Sequence, residues 1–190
     1  MIVDPAVARR KFDKEVRLAR SQPYWQQQGV WMLRAEFPIV FVIFATPKMM
    51  PWCPGVIAGL HIDFSDYDIR PPSVRFVDPF TEAALTFTEM KWHFPRTVNA
   101  VRDRTSGQIT AAEQLAYVQS FDNIKPFLCL PGVREYHECS AHSGDSWFMH
   151  RSPREGLLVH LLTILQRYGP GSIQGITFNL TPTPVANFRE

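Results

Sequence analysis

Cysteine is scarce in this chain of 190 residues. There are three (Cys53, Cys129 and Cys139), and an odd number without an export signal argues against a disulfide framework and leaves free thiols to explain. Lysine is also scarce: only Lys11, Lys14, Lys48, Lys91 and Lys125 are found among the 20 Lys+Arg residues. No sign of charge dominates. Twenty basic against 18 acidic residues leave a formal net charge of +2, too little and too evenly spread to point to a nucleic-acid partner. No run approaches the ~20 apolar residues that span a bilayer, and the opening Met1-Ile-Val-Asp-Pro5 lacks the regions of a signal peptide, so a cytoplasmic protein without a membrane partner is expected. A glycine-rich phosphate loop is missing as well: Gly55 and Gly59 lie in a strand pattern, and Gly169 and Gly171 follow a helix rather than opening one. Nucleotide chemistry is therefore not expected, and no cofactor is implied. What remains is globular: 45% hydrophobic and 20% charged residues, no internal repeat, and a length that suits a single domain over 1–190.

Patterning then places the elements. Asp4 before Pro5 is a cap and a first-turn proline, and Val7, Phe12, Val16 and Ala19 recur at helical spacing through about Arg20, with Arg9, Arg10, Lys14 and Arg17 elsewhere on the wheel. A β-branched and aromatic run over 37–44 reads as a buried strand, 56–64 as a second and 74–76 as a third after the Pro71-Pro72 pair, which together predict an antiparallel meander. The stretch 78–126 is less regular; Asp103–Gly107 reads as a polar turn, and Thr110 with Glu113 three residues on has the form of a capping box that predicts a helix over 110–120. Ser152, Pro153 and Glu155 form a second such signal before an apolar helix that runs to Tyr168 and stops at Gly169-Pro170. The tail from Gly171 reads as a last strand or an extended segment.

Reactive side chains concentrate between Phe127 and His150: Cys129, Tyr136, His137, Cys139, His142, Asp145 and His150. Cys129 falls where an apolar strand-like piece meets a Pro-Gly turn, a position at the rim of a fold that a partner can reach; core packing of Phe-Leu-Cys-Leu is the other reading. His137 or His142 would serve as base or orienting group in a Cys-His pair. His137, Cys139, His142 and His150 are also residue types that bind zinc, at a spacing that matches no standard finger or knuckle. Asp63, Asp66 and Asp68 lack the glycine and glutamate of a calcium loop and read as turn polarity. His61, His93 and His160 read as structural.

Taken in order, the basic helix, the Pro-flanked strand, Gly55-Val-Ile-Ala-Gly-Leu-His-Ile-Asp-Phe64, Tyr67-Asp-Ile-Arg-Pro-Pro-Ser-Val-Arg-Phe76, Phe127-Leu-Cys129-Leu, Trp147 and Ser152-Pro153 before a long helix resemble the ubiquitin-conjugating enzymes. The likeness covers about 5–76 and 127–168. It departs from that family in four places: no His-Pro-Asn precedes the cysteine, the 78–126 segment stands as an insertion, the loop after Cys129 is longer and rich in histidine, and the family's final helices are not expected after Tyr168. The combination resembles divergent bacterial relatives that accompany ubiquitin-like proteins, activating enzymes and deubiquitinase-like peptidases, some in antiviral defence.

The resemblance implies an α+β, UBC-like fold with an N-terminal helix, an antiparallel meander of about four strands, an active-site loop and a long helix after it. It implies an acyltransferase in which Cys129 accepts a ubiquitin-like protein as a thioester from an activating enzyme and passes it to a lysine of a protein substrate. Asn123 by analogy, or His137 or His142, would meet the oxyanion, with His137 preferred because it lies nearer Cys129 in sequence; Asp145 would orient or deprotonate the incoming amine. Arg9, Arg10, Lys14 and Arg17 would face the activating enzyme. The competing readings are a non-catalytic binding module on the same fold and a zinc protein built on the 137–150 cluster.

Overall fold

The computed structural model describes residues 3–46, 55–90, 92–102, 105–106, 108–150 and 157–172. It is a mixed α+β structure whose main sheet has four antiparallel strands in sequential order: β1 (Val30–Glu36), β2 (Ile39–Thr46), β3 (Gly55–Asp63) and β4 (Ser73–Val77). The register alternates apolar side chains onto one face. Val40, Val42 and Phe44 of β2, Ala58, Leu60 and Ile62 of β3, and Val74 and Phe76 of β4 are all at most 2% exposed, as period-two alternation requires.

That face is covered by α1 (Pro5–Arg20) and α5 (Leu158–Tyr168). The Asp4 carboxylate accepts the Ala6 N–H at 2.8 Å and Pro5 occupies the first turn, so α1 starts as expected. Its buried stripe is Ala8, Phe12, Glu15, Val16 and Ala19; Val7, placed on that stripe by sequence, is 41% exposed. Phe12 meets Phe37 and Phe64 edge-on, with ring centroids 5.6 Å away in each case. In α5, Leu158, Leu161, Leu162 and Leu165 are buried at three-four spacing against the same core. Helix α2 (Tyr24–Gln27) adds Trp25, whose indole N–H donates to the Ala19 carbonyl at 3.1 Å.

Three expectations are corrected. The first strand is a hairpin, since a separate strand β1 precedes β2 across the Phe37-Pro38 turn. The 110–120 segment is no helix: β6 (Ile109–Ala116) pairs antiparallel with β5 (Pro95–Arg102), with Thr97 opposite Gln114 and Val98 opposite Glu113. A capping-box spelling is a local preference, and the paired strand overrides it. Helix α5 begins at Leu158; Leu157 is extended (φ −72°, ψ 140°), so no helix passes through it from Ser152. Ser152, Pro153 and Glu155, the tail beyond Ser172, Asp103 and Cys53 lie outside the described residues. The segment after β4 thus contains the isolated Val77–Ala84 bridge, the β5–β6 hairpin and β7 (Val118–Gln119). Among the described residues no helix is long and apolar enough to cross a membrane.

Candidate functional site

Cys129 directly follows β8 (Phe127–Leu128), which pairs with β7. The Cys129 N–H extends that ladder by donating to the Tyr117 carbonyl at 2.7 Å, which fixes the backbone below the thiol. Pro131 and Gly132 then turn the chain into α3 (Arg134–Glu138).

The Pro71-Pro72-Ser73 stretch docks this helix. The Arg134 N–H donates to the Pro72 carbonyl at 2.9 Å and its guanidinium to Pro71 (3.3 Å) and Ser65 (2.5 Å) carbonyls. Glu135 accepts the Ser73 hydroxyl and, at 3.1 Å, the Val74 N–H. Pro71 and Pro72 precede β4, so their carbonyls lie outside its ladder and accept from Arg134, and α3 is fixed against the end of β4.

Beyond α3, a single 3-10 turn over Ser140–His142 brings His142 back toward the sheet. Its Nε2 lies 3.4 Å from the Cys129 Sγ, a thiol-imidazole hydrogen bond. Gly144, at φ 94°, then reverses the chain in a conformation that side chains rarely adopt. Asp145 returns beneath Tyr136: its carboxylate accepts the Tyr136 hydroxyl at 2.7 Å and pairs with His150 Nε2 of α4 (Trp147–His150). The Tyr136 ring stacks on His142 with centroids 3.9 Å apart and planes at 21°. Trp147 anchors α4 through its indole N–H on the Asp68 carbonyl at 2.9 Å.

Electrostatics follow from these contacts. The Tyr136 hydroxyl and, after it, His150 hold the Asp145 carboxyl below the usual range. Burial and then the bond to Asp145 push the Tyr136 phenol up to about 12, so it stays a neutral donor at all physiological pH. The sequence left His137 and His142 open as the base for Cys129 and preferred His137 as oxyanion donor by proximity; the structure brings His142, and not His137, against the sulfur. His137 Nδ1 donates to the Asp145 carbonyl at 2.8 Å and its Nε2 accepts the Gly132 N–H at 3.3 Å, so both ring nitrogens are committed.

Cys129 was expected to be open at the rim of the fold. It is 9% exposed, because the Cys139–His142 turn brings the imidazole against the sulfur. A cleft of about 630 Å³ has Phe76 of β4, Phe121, Phe127, Glu138 and Cys139 among its walls, and Cys129 does not line it. Cys139 is 7% exposed and faces the cleft. Asn123 stands at φ 57° in the exposed 121–125 loop, where the Asp122 carboxylate accepts the Ile124 and Lys125 N–H groups at 2.9 Å each. Among the described residues no three His, Cys, Asp or Glu side chains converge as metal ligands, so His137, Cys139, His142 and His150 do not assemble the zinc alternative. Arg9, Arg10, Lys14 and Arg17 are all exposed on α1, while Lys11 pairs with Asp68. Sequence reasoning gave Tyr136 no role of its own; the stacking that makes it part of the site has no sequence signature.

Comparison with known proteins assigns the relationship. The Y4jH-like family profile matches residues 3–173. Protein y4jH of Sinorhizobium fredii is 37% identical over 185 residues, a match that covers 94% of this chain and 89% of that protein. The chain belongs to the Y4jH-like family. In this member of the Y4jH-like family, the matched span takes in α1, the whole sheet, Cys129, His142 and α5.

Proposed function

We propose that the protein is a conjugating enzyme with a UBC-like fold that carries a ubiquitin-like protein as a thioester on Cys129. The observation that carries this reading is a thiol at the end of a short strand, beside a four-stranded antiparallel meander, with an imidazole nitrogen 3.4 Å from its sulfur. In the loading step the Cys129 proton passes to His142 and the thiolate attacks the carbonyl of the activating enzyme's thioester. The new C–S bond forms, the donor's C–S bond breaks, and the departing thiolate takes the proton from His142. The exchange of one thioester for another is close to energy-neutral, so ionising the thiol is the main task. In discharge a lysine amine attacks the same carbonyl, a C–N bond forms, and Cys129 leaves as thiolate while the amine proton passes to a base.

The backbone around Cys129 favours a carrier over a self-sufficient hydrolase. The Cys129 N–H is bonded to Tyr117, the Leu130 N–H to Leu128 and the Gly132 N–H to His137, and Pro131 has none. No oxyanion hole is preformed by these amides, and one donor of that kind is worth roughly 10² to 10³ in rate. A thioester at Cys129 is therefore slow to discharge until an acceptor or partner completes the site, as a carrier requires. Asn123 is one group that could be recruited from the 121–125 loop. Arg9, Arg10, Lys14 and Arg17 are the surface offered to the activating enzyme, and a cytoplasmic setting fits a thiol chemistry. The test is to mix the protein with activating enzyme, ubiquitin-like protein and ATP. An adduct that thiol reductant cleaves, retained by Cys139→Ala and lost by Cys129→Ala, supports the proposal; an adduct that depends on Cys139 alone, or none with a competent activating enzyme and cargo, overturns it.

A further inference from the structure

Cys129 is mounted on the end of a paired strand, but His142 is short of a rigid mount of its own. His142 ends a three-residue 3-10 turn, which is too short to fix a side chain by backbone geometry alone. What lies against its ring is Tyr136, stacked at 3.9 Å, and the far end of Tyr136 is tied by the 2.7 Å bond to Asp145. Asp145 is itself held on three sides: by the Tyr136 hydroxyl, by His150 and by the His137 ring on its carbonyl. We propose that Tyr136 is a positioning residue whose ring, anchored through Asp145, holds the His142 imidazole where it accepts the Cys129 proton.

The proposal rests on reading Cys129 as the acceptor thiol, and it deepens that reading by naming what makes the thiol nucleophilic. The step it describes is a proton transfer. The S–H bond of Cys129 breaks, an N–H bond forms at His142 Nε2, and a thiolate-imidazolium pair results with no net change of charge. The titratable groups facing this pair are Tyr136 and Cys139 from α3 and its end, Asp145 and His137 behind the ring, and His150 from α4. Of these, Tyr136 lies flat on the base. The Asp145 N–H donates to the His142 carbonyl at 3.0 Å, but among the described contacts the Asp145 carboxylate makes no hydrogen bond to the His142 ring; it acts on the imidazole through the phenol. This differs from a Cys-His-Asp triad, in which the acid bonds the imidazole directly. The phenol's role is one of shape, because it stays protonated and holds no charge that changes with pH.

The test is the pH dependence of iodoacetamide alkylation, read at each cysteine by mass spectrometry of the full chain, without activating enzyme or cargo. Cys139 lies at the end of α3 and serves as an internal reference for loosening of the loop. An unperturbed thiol is only a few per cent ionised at pH 7. His142→Ala and Tyr136→Leu, which keeps bulk without a flat ring, are therefore each expected to lower Cys129 alkylation at pH 7 by about tenfold relative to the variant's own high-pH plateau, which takes account of the uncovered sulfur, and to move its rise to higher pH. Tyr136→Phe keeps the stacked ring but loses its tie to Asp145, and is expected to fall between wild type and Tyr136→Leu, about threefold below wild type on the same scale. Thermal melts confirm that each variant is folded; if Tyr136→Leu is not, His142→Ala against Tyr136→Phe carries the comparison. A Tyr136→Leu profile equal to wild type overturns the proposal. So does a Tyr136→Phe profile equal to His142→Ala, or a change at Cys139 that matches the change at Cys129. Because no conjugation component is present, this result is independent of the adduct experiment: the pair can fail while thioester formation stands, and the reverse.

Discussion

Glu15 links the two helices that cover the sheet, and replacing it separates charge from hydrogen bonding. The residue is 5% exposed, and its Oε2 accepts the Leu158 N–H, the first amide of α5, at 3.2 Å. Burial raises its pKa above 4.5; the Leu158 bond and the Lys14 charge oppose this without cancelling it. A carboxyl whose folded pKa is raised gives a stability contribution that is complete below the unfolded value near 4.5 and is lost as pH rises through the folded value. Glu15→Gln keeps an acceptor oxygen and the volume but removes the charge. Its stability relative to wild type should rise between pH 4 and pH 7, because only the wild-type carboxyl must ionise in the buried site. Glu15→Ala strands the Leu158 amide in a dry site, a cost of about 1–3 kcal/mol, and leaves a hole that adds about 1 kcal/mol more. Urea unfolding of the three proteins from pH 4 to pH 7.5 measures both effects. A wild-type protein that gains on Glu15→Gln as pH rises would refute the reasoning, since it would mean that the α5 terminus stabilises the carboxylate more than burial penalises it.

The remaining predictions are more local. Leu161 is fully buried between α5 and the sheet, and Leu161→Ala should destabilise by about 3–4 kcal/mol in the same assay. Asp145→Asn should weaken the 134–150 loop, seen as faster amide exchange there at pH 7. Because the Asp145 carboxyl titrates below its ordinary value, the difference from wild type should shrink as pH falls through that lowered value. Reversing the exposed α1 charges (Arg10→Glu, Lys14→Glu and Arg17→Glu together) should leave the melt unchanged. It should slow loading by an activating enzyme about tenfold at low salt, with the difference fading at high salt; equal rates at low salt would remove α1 from the interface.

The parts of the fold that were legible in the sequence are those where pattern and burial coincide. Asp4-Pro5 marks α1 because cap and proline act within one turn, and β2 and β3 show themselves because they are apolar over most of their length. β1 escaped because it lies at the sheet edge, with only Val30 fully buried and no clean alternation. The β5–β6 hairpin escaped because Thr110–Ala116 spells a helix until the strand it pairs with is known. Within the site, the cysteine at the strand end was legible, but the choice of histidine was not. The base for Cys129 stayed open between His137 and His142, and separation along the chain, eight residues against thirteen, favoured His137 only as oxyanion donor. A short helix and a 3-10 turn carry His142 back while Gly132 and Asp145 engage His137. The covering of the thiol likewise depends on that return of the chain.

A conjugating role requires Cys129 to hold another polypeptide's C-terminus. Intact-mass measurement of the loading reaction decides it. Wild type should gain the mass of the ubiquitin-like protein less one water, in a bond that hydroxylamine or thiol cleaves, and Cys129→Ser should gain the same mass in an ester that resists thiol. An unchanged mass in the presence of cargo-loaded activating enzyme, or an adduct that maps to Cys139 or to a lysine in the first turnover, would contradict it.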